Sequence, residues 1–397
     1  MAVESIPVIV GFDVERRNEM SLLSKQEIEK ELQFCISQVE KGLPKFRYSY
    51  FPTENKNNVY GMLPNMGWTG GFWSAMVWLA YELTGDEKFR EVGESHLNSY
   101  HERLINDYDL NHHDLGFEYT LSCVSAYKVT GSELAKKCAI MAADKLLRRF
   151  EPNGRFLKPW GEMDDPVENR IIVDTYLNLP LLFWATEETG DPKYAEVALA
   201  HLDSTVDVLV RDDGRAYHTY MMELKYGNPI MPKVDQGYAD DSVWSRGQAW
   251  VVYGLALAYS YTKNPKWKEV QKKATNKFIE LLPADDVPAW DMIFTDTRTL
   301  KDTSAAPIAA CGMLEMNLLE PEHEDAKKWE EKAHDMVRAL MKEHTTRETD
   351  VDTTAILIHG TSSYRHNMGV NESVIYGDYY YMETLMRMLN PDWKRYW

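Results

Sequence analysis

The feature that most constrains the fold is a pair of helices that recurs along the chain. The first helix of each pair is apolar and rich in small residues, and the second is charged and amphipathic. Helix-end and restart signals such as Thr84-Gly85-Asp86, Thr130-Gly131-Ser132 and Thr189-Gly190-Asp191 separate the two helices. With an N-terminal helix at about 25–40, six such pairs are predicted at irregular intervals.

The two kinds of helix predict how the pairs are arranged. A helix that is apolar on all sides is buried, whereas an amphipathic helix covers it from outside. We therefore expect an all-α fold, a six-fold α/α barrel that is a toroid of six inner and six outer helices. Because each pair buries its apolar face only against its neighbours, we expect a single domain over residues 1–397, with residues 1–22 as an N-terminal extension.

Charge and cysteine usage restrict the partners and the compartment. The formal net charge of -18 argues against nucleic acid and anionic membranes as partners. The apolar run at residues 6–10 has no basic residue before it, so we expect no secretory signal, and no apolar run is long enough to span a bilayer. The cysteines have no disulfide or metal spacing and are expected to be buried free thiols: Cys35, Cys123, Cys138 and Cys311. We expect a cytoplasmic monomer or homodimer.

Extra length in the chain falls in the connectors before the inner helices, such as 151–169 and 210–241. In a barrel of this kind, these connectors gather at one end. They also hold polar and aromatic residues that are unusual in simple connectors. Long loops on a rigid scaffold commonly carry binding and catalytic residues, so we place the site at this end.

The first candidate catalytic residue is Asp174, in the apolar segment 170–178, which is predicted to open the third inner helix. An ionised carboxylate in apolar surroundings is costly and responds by raising its pKa, which suits a general acid near neutral pH. The alternative is an internal pair, because Arg170 and Asn178 lie one turn to either side on the same helix face. This segment alone favours neither interpretation.

The second candidate is Asp114, in the run His112-His113-Asp114. Asp114 either caps the helix that starts at Leu115 or faces Asp174, where two nearby carboxylates separate each other's pKa values. The two histidines suggest a metal, but adjacent loop residues seldom bind one ion and no second cluster has ligand spacing. We therefore expect no metal and no cofactor.

Aromatic and polar side chains stand near the predicted starts of inner helices. Five tryptophans in such positions predict an aromatic funnel, although any one of them fits a core role: Trp68, Trp73, Trp160, Trp244 and Trp250. Arg246 is expected to bind a ligand carboxylate, or else to pair with Asp240 or Asp241. His218 and Gln236 are further candidates for contacts with ligand hydroxyl or carboxylate groups.

Motifs for other chemistries are missing from the sequence. It contains no phosphate-binding glycine loop followed by Lys-Ser/Thr, no Gly-x-Ser-x-Gly nucleophile elbow and no dinucleotide fingerprint. Two carboxylates and an aromatic cleft on an all-α toroid favour carbohydrate chemistry.

Several motifs, taken together, resemble those of the unsaturated glucuronyl hydrolases of glycoside hydrolase family 88, over almost the whole chain. They are Trp68-Thr69-Gly70-Gly71-Phe72-Trp73, His112-His113-Asp114-Leu115-Gly116-Phe117, Trp160-Gly161, Arg170-Ile171-Ile172-Val173-Asp174, Tyr217-His218-Thr219, Arg246-Gly247-Gln248-Ala249-Trp250 and Gly377-Asp378-Tyr379-Tyr380-Tyr381. The resemblance implies the six-fold barrel, no metal, and removal of the 4,5-unsaturated uronic acid from the non-reducing end of lyase-generated oligosaccharides such as unsaturated chondroitin, hyaluronan or heparin disaccharides.

The resemblance also assigns roles to residues. It implies that Asp174 is the general acid/base and that Asp114 is the second essential aspartate. The residues implied to line the sugar subsite are Trp68, His113, Trp160, His218, Gln236, Arg246 and Trp250. The implied reaction is hydration of the C4=C5 enol ether rather than displacement at the anomeric carbon.

One segment departs from the family pattern. Streptococcal members that act on sulfated fragments carry Ser-x-x-Ser-x-Lys near the C-terminus, where this chain has His366 and Met368 in place of the second Ser and the Lys. Ser363, Arg365 and His366 are possible contacts to a sulfate or to the neighbouring sugar. The alternatives are an unsaturated rhamnogalacturonyl hydrolase that acts on pectin fragments, which the His112-His113-Asp114 motif disfavours, and a non-catalytic carbohydrate-binding toroid.

Overall fold

The chain is predominantly helical. A computed structural model describes residues 22–48 and 50–397. The α-helices are α1 Lys25–Gly42, α2 Gly70–Thr84, α3 Glu87–Ile105, α4 Leu115–Tyr119, α5 Ser125–Thr130, α6 Glu133–Leu147, α7 Pro180–Thr189, α8 Lys193–Leu209, α9 Ser245–Thr262, α10 Pro265–Leu281, α11 Ala305–Leu319, α12 Ala326–Glu343 and α13 Ile375–Leu389. A π-helical segment, Thr120–Val124, joins α4 to α5, and Val173–Leu177 and Thr346–Glu348 are 3₁₀ turns.

The helices alternate between buried and amphipathic, as the sequence predicts. In α9, every residue from Ser245 to Tyr259 is buried. In the next helix, α10, the buried residues recur on one face, as in Trp267, Gln271, Ala274 and Phe278. This alternation confirms that a buried helix is paired with an amphipathic one, because only a helix enclosed on all sides tolerates an apolar surface all round.

The turns between paired helices explain their sharp ends. Gly85, Gly131 and Gly190 each end a helix in the left-handed region, with φ of 67°, 71° and 74°. The residue that follows then caps the next helix: the side chains of Asp86 and Ser132 accept backbone N–H groups of α3 and α6.

Neighbouring inner segments pack against one another in chain order. The segment of α4 contacts both α2 and α7, α9 contacts α7 and α11, and α11 contacts α13. Helix α13 packs in turn against α2, so the last inner helix contacts the first.

Short antiparallel hairpins occupy the connectors, which the prediction of an all-α chain did not include. The strands are β1 Tyr50–Lys56, β2 Val59–Pro64, β3 Phe150–Glu151, β4 Phe156–Leu157, β5 Arg170–Ile172, β6 Thr219–Met222, β7 Pro229–Lys233, β8 Gly360–Ser363 and β9 Met368–Glu372. They form the pairs β1-β2, β3-β4 and β8-β9 and the three-stranded sheet β5-β6-β7. Since β5 and β6 lie in different connectors, and β9 contacts β1, the connectors meet as predicted.

Close backbone contact between two inner segments leads to a first prediction. A Cβ atom on Gly116 would lie 2.3 Å from Cα of Asn178, which is backbone and cannot rotate away. We expect Gly116→Ala to lower the free energy of unfolding by about 1–3 kcal/mol, as overpacking does. Urea unfolding measures the effect. Lys30→Ala, on the exposed face of α1, is the control and should stay within about 0.5 kcal/mol of wild type, so equal effects would contradict the packing argument.

Some predictions concern residues outside this description. The predicted N-terminal extension, apart from Leu22, and the apolar run at 6–10 lie outside the described residues. Within 22–48 and 50–397, no helix combines the length and the apolar character needed to cross a membrane. The four cysteines are buried free thiols, as predicted.

Candidate active site

Asp174 lies at the end of a strand rather than inside a helix. Strand β5 pairs with β6, the Val173 N–H donates to the carbonyl of His218 at 3.1 Å, and Asp174 follows in the 3₁₀ turn. The predicted helix over this segment is therefore wrong, because the β-branched run Ile171-Ile172-Val173 adds to a sheet and α7 begins only at Pro180.

The internal pair proposed as an alternative for Asp174 does not form. Arg170 pairs with Glu168 at 2.6 Å, and Asn178 donates to the backbone carbonyl of Asp174, not to its carboxylate. Oδ2 of Asp174 is buried and has no hydrogen-bond partner among the described residues, although the side chain as a whole is half-buried. A carboxyl group with an unpartnered, buried oxygen is poorly suited to remain ionised and is free to hold a proton.

Asp114 occupies the residue before α4, but its side chain makes no capping hydrogen bond, so the capping interpretation is wrong. Its Oδ1 instead lies 3.2 Å from Nε2 of His113 and accepts the Asn178 amide at 3.4 Å. His113 Nδ1 is hydrogen-bonded to Thr175 Oγ1 at 2.8 Å. His113 and Asn178 therefore join the segment that carries Asp114 to the segment that carries Asp174.

The surroundings shift the pKa values of Asp174 and Asp114 in opposite directions. Burial raises the pKa of Asp174 to about 7, and the negative charge of Asp114 acts in the same direction. Burial opposes ionisation of Asp114 too, but His113 and His112, whose Nδ1 lies 3.6 Å from Oδ2 of Asp114, hold the pKa of Asp114 below its usual value. A carboxyl group that keeps its proton near neutral pH thus stands beside one that stays ionised, which is the arrangement of a general acid and its partner.

The side chain of His218 offers a hydrogen-bond donor, and the backbone carbonyl of His218 accepts the N–H of Val173, the residue before Asp174. Its Nδ1 accepts the backbone N–H groups of Asp235 and Gln236 at 3.1 and 3.3 Å. Burial lowers the pKa of His218 to about 3, so the ring is neutral and its proton is on Nε2. This buried N–H finds no acceptor in the described part of the chain.

Arg246 is held by the protein itself. Its guanidinium pairs with Asp302, not with Asp240 or Asp241 as the alternative proposed, and donates to the carbonyl oxygens of Thr361 and Ser362 at 3.0 and 2.6 Å. The group also lies 4.8 Å from the ring centroid of Tyr376. Its positive charge lowers the pKa of Asp174 only in part, since burial and Asp114 outweigh it.

An open cavity of about 480 Å³ lies next to Arg246, whose neighbours Ser362 and Tyr376 line it, whereas Asp174, Asp114 and His218 are not among its lining residues. Its lining includes Trp68, whose ring stacks on Tyr376 with centroids 5.2 Å apart, and Gln236, whose amide donates to the Ser362 carbonyl at 3.1 Å. The other polar residues of the lining are Asn55, Tyr60, Thr69, Asp235, Ser362, Ser363, His366, Ser373 and Tyr376. Trp68 and Gln236 are therefore accessible to a ligand.

The five predicted tryptophans do not form one funnel. Trp73, Trp244 and Trp250 are 1%, 3% and 0% exposed, so they belong to the core. Trp250 packs on Phe117 and Tyr380 and does not line the cavity. Trp68 and Trp160 are half-buried, and Trp160 donates its indole N–H to Glu168 at 2.9 Å while its ring lies 6.4 Å from that of His113.

The hairpin β8-β9 brings two of its three predicted contact residues to the cavity. Ser363 and His366 line it and are hydrogen-bonded to each other at 2.8 Å. Arg365 is exposed and lies outside the lining.

Several residues of the site were not predicted as such. Tyr376 stands between Trp68 and Arg246, Asp302 neutralises Arg246, and Asp235 contributes to the raised pKa of Asp174. Asp235 directly precedes Gln236, a predicted site residue, and could have been found from that neighbour. Nothing in the sequence near Asp302 relates it to an arginine 56 residues earlier. The described residues include no group of three or more His, Cys, Asp or Glu side chains placed to hold a metal ion.

Comparison with known proteins identifies the family of this chain. The profile of Glycosyl Hydrolase Family 88 matches residues 22–391. The unsaturated chondroitin disaccharide hydrolase of Streptococcus pyogenes serotype M1 is 38% identical over 385 residues, which cover 96% of each protein. An unsaturated glucuronyl hydrolase from Streptococcus agalactiae has 38% identity and a TM-score of 0.92 over 100% of both chains. A variant of that enzyme, solved with dGlcA-GalNAc6S, has 36% identity and a TM-score of 0.85, again over 100% of both chains. This chain therefore belongs to Glycosyl Hydrolase Family 88.

Proposed function

We propose that this glycosidase removes the 4,5-unsaturated uronic acid from the non-reducing end of lyase-generated glycosaminoglycan oligosaccharides. The observation that carries the proposal is the carboxyl of Asp174, whose pKa of about 7 and unpartnered Oδ2 suit proton donation, beside the ionised Asp114. The names of the relatives support the substrate class, because one is a chondroitin disaccharide hydrolase and another is bound to an unsaturated disaccharide.

The chemistry follows from the enol ether of the substrate ring. Asp174 donates its proton to C4, and positive charge develops at C5 and the ring oxygen. The Asp174 carboxylate then takes a proton from a water molecule, whose oxygen adds to C5. The resulting hemiketal opens the ring and releases the remaining saccharide, while Asp174 has regained its proton. One group acts first as acid and then as base.

The surrounding residues bind and orient the sugar in this proposal. The N–H at Nε2 of His218 is buried and has no acceptor among the described residues. In the complex, an oxygen of the uronic acid accepts its hydrogen bond. Trp68 presents its exposed face to a ring, and the remaining proposed contacts are His113, Trp160, Gln236 and Arg246. Trp250 contributes indirectly, because its ring packs on Phe117. Phe117 in turn packs on Trp68, with ring centroids 5.8 Å apart.

Ultraviolet absorbance tests the function. The conjugated enol-ether acid absorbs in the ultraviolet, and hydration removes the band. We expect the protein to abolish the absorbance of unsaturated chondroitin or hyaluronan disaccharides while releasing the free neighbouring sugar. If unsaturated chondroitin, hyaluronan and heparin disaccharides all keep their absorbance, the proposal fails.

The pH dependence is a further prediction. Since the protonated form of Asp174 starts the reaction and its pKa is about 7, kcat/KM should be constant well below pH 7 and fall about tenfold per unit well above it. Initial rates from pH 5 to 9 measure this limb. A profile that rises with pH through 7 would show that Asp174 does not act as the acid.

We also propose that the sugar next to the uronic acid is preferred without sulfate. Among the described residues, those that line the cavity include Asp235 and Met368 but neither lysine nor arginine. Ser363 already shares its hydroxyl with His366, whose Nε2 lies 3.9 Å from Asp235 Oδ1. An added sulfate would therefore meet a carboxylate and no fixed cation.

A gain of function checks this preference. Met368→Lys should raise kcat/KM for a 6-sulfated unsaturated disaccharide about tenfold relative to the unsulfated one, a change of about 1.4 kcal/mol in transition-state binding. Ile230→Lys, at an exposed position of β7 outside the cavity, changes the net charge equally and should leave the ratio unaltered. Wild-type preference for the sulfated substrate would refute the proposal.

The finer architecture is part of the same proposal. We infer one domain that is a six-fold α/α toroid, which the alternation of buried and amphipathic helices and the contact of α13 with α2 support. We propose a cytoplasmic monomer or homodimer, to which the four free thiols contribute the supporting observation.

A further inference from the structure

A buried arginine outside the reaction centre joins two loops of the site. Arg103, in the last turn of α3, has a side chain that is 1% exposed. Its NH1 donates to Oδ1 of Asn65 at 3.1 Å, and its NH2 donates to the carbonyls of Gly67 and Asp109 at 2.8 and 2.7 Å. Its Nε donates to the carbonyl of Tyr108 at 3.3 Å.

The two loops carry the residues on which the proposed reaction depends. The loop at 65–69 carries Trp68, which lines the cavity, and the loop at 107–114 leads to Asp114. A direct contact also joins them, because the Gly67 N–H donates to Oδ2 of Asp109 at 2.6 Å. The guanidinium of Arg103 and the carboxylate of Asp109 therefore fix the distance between Trp68 and Asp114.

Glu118, on α4, contacts both Arg103 and the start of α2. Its side chain is fully buried, with Oε2 3.5 Å from NH1 of Arg103, and Oε1 accepts the N–H of Gly70 at 3.1 Å. Glu118 thus places a carboxyl group opposite the buried guanidinium and holds the start of α2, directly after Trp68. The donors of a planar fork reach four acceptors in fixed directions, which an ammonium group does not reproduce.

We propose that Arg103 is a positioning residue that holds Trp68 and Asp114 in register for hydration of the unsaturated sugar. The inference rests on the proposed function, although the loop contacts can be tested without it. Arg103 does not line the cavity, so an effect of its replacement on turnover is transmitted through the two loops.

Two variants test the inference by different routes. Arg103→Lys keeps the charge but loses the fork, and we expect kcat/KM to fall about 100-fold, as a displacement of about 1 Å does in preorganised sites. Asp109→Ala removes the link to Gly67 and the contact of Oδ2 with NH2 of Arg103 at 3.5 Å but keeps the guanidinium, and we expect a smaller loss, of about tenfold. In Arg103→Lys the basic limb of the pH profile should also move to lower pH, because Asp114 is held less closely to Asp174.

Each variant has a matched control. Arg90→Lys makes the same substitution on an exposed face of α3. Asp107→Ala lies in the same loop as Asp109 and has the same left-handed backbone, with φ of 50° against 51°, so both alanine variants carry equal backbone strain. Both controls should keep kcat/KM within about twofold of wild type.

Hydrogen exchange separates this inference from the function. We expect amide exchange in both loops, 65–70 and 107–114, to accelerate together in Arg103→Lys and in Asp109→Ala but not in the controls. Joint acceleration in a protein without activity towards unsaturated disaccharides would refute the function and leave the loop coupling standing. Unchanged exchange in both loops, or a wild-type pH limb and kcat/KM in Arg103→Lys, would overturn the positioning role.

Discussion

Replacement of Asp174 by asparagine is expected to lower kcat by about 10³-fold, within the range of about 10²–10⁴ that general acid catalysis contributes. The amide has nearly the shape of the carboxyl group, but its N–H protons are far too weakly acidic to be transferred to C4. Because Oδ2 lacks a partner in the described structure, the change breaks no hydrogen bond of that atom, so KM should stay within a few-fold of wild type. Initial rates at saturating unsaturated disaccharide measure the effect.

The same variant should be at least as stable as wild type. The folded pKa of Asp174 is raised to about 7 from an ordinary value of 3.8, so its ionisation disfavours the folded state increasingly as the pH rises from about 4 and fully above about 7. Asp174→Asn should therefore gain melting temperature relative to wild type more at pH 8 than at pH 5. Asp203→Asn, on the exposed face of α8, is the control and should alter neither rate nor stability. A variant that keeps more than a tenth of wild-type kcat would exclude Asp174 as the acid.

Replacement of Asp114 by asparagine is expected to lower kcat by about 100-fold and to move the basic limb of the pH profile to lower pH. After burial, the charge of Asp114 is the largest cause of the raised pKa of Asp174, so its removal lowers that pKa and leaves less of the acid form at neutral pH. The Asn178 amide, 3.4 Å from Oδ1, still finds an oxygen acceptor in the variant.

The pH profile of kcat/KM distinguishes two roles for Asp114. A limb that moves shows that Asp114 tunes Asp174, whereas a lower rate with an unmoved limb shows that it acts by binding the sugar. Asp114→Asn with kcat within threefold of wild type would contradict both roles. Asp107→Ala again provides the control in the same loop.

The helices were predictable because their signals are local. The end of α2 and the start of α3 are set by Gly85 and Asp86, which are adjacent in the chain. The hairpins were not predicted, although the pair Asn57-Asn58, with φ of 56° and 59°, is typical of a tight turn between β1 and β2. The short β5 gains its stability from β6, which lies some 50 residues later, so its pairing has no signal in its own sequence.

The residues of the candidate site were predictable as types, but their contacts were not. Asp174 was recognisable because a carboxylate in an apolar run is unusual. Its predicted partners do not pair with that carboxylate, because Arg170 pairs with Glu168 and Asn178 donates to the backbone carbonyl of Asp174. Trp250 shows the limit of residue type alone, since a tryptophan at a helix start suits a core as well as a binding surface, and this one is buried. Burial and pairing depend on which segments meet in space, and spacing along one chain does not determine that.

The way in which hairpin β8-β9 is attached has a consequence for how substrate range diversifies. Arg246 and Gln236 hold this hairpin through the carbonyl oxygens of Thr361 and Ser362, which every amino acid supplies. Mutations can therefore exchange the side chains at 363–368 while the anchoring bonds persist, and Asp174 and Asp114 reside on other segments. Evolution can thus explore new neighbouring sugars without rebuilding the proton-transfer pair, and grafting this hairpin between relatives is a direct route to altered selectivity.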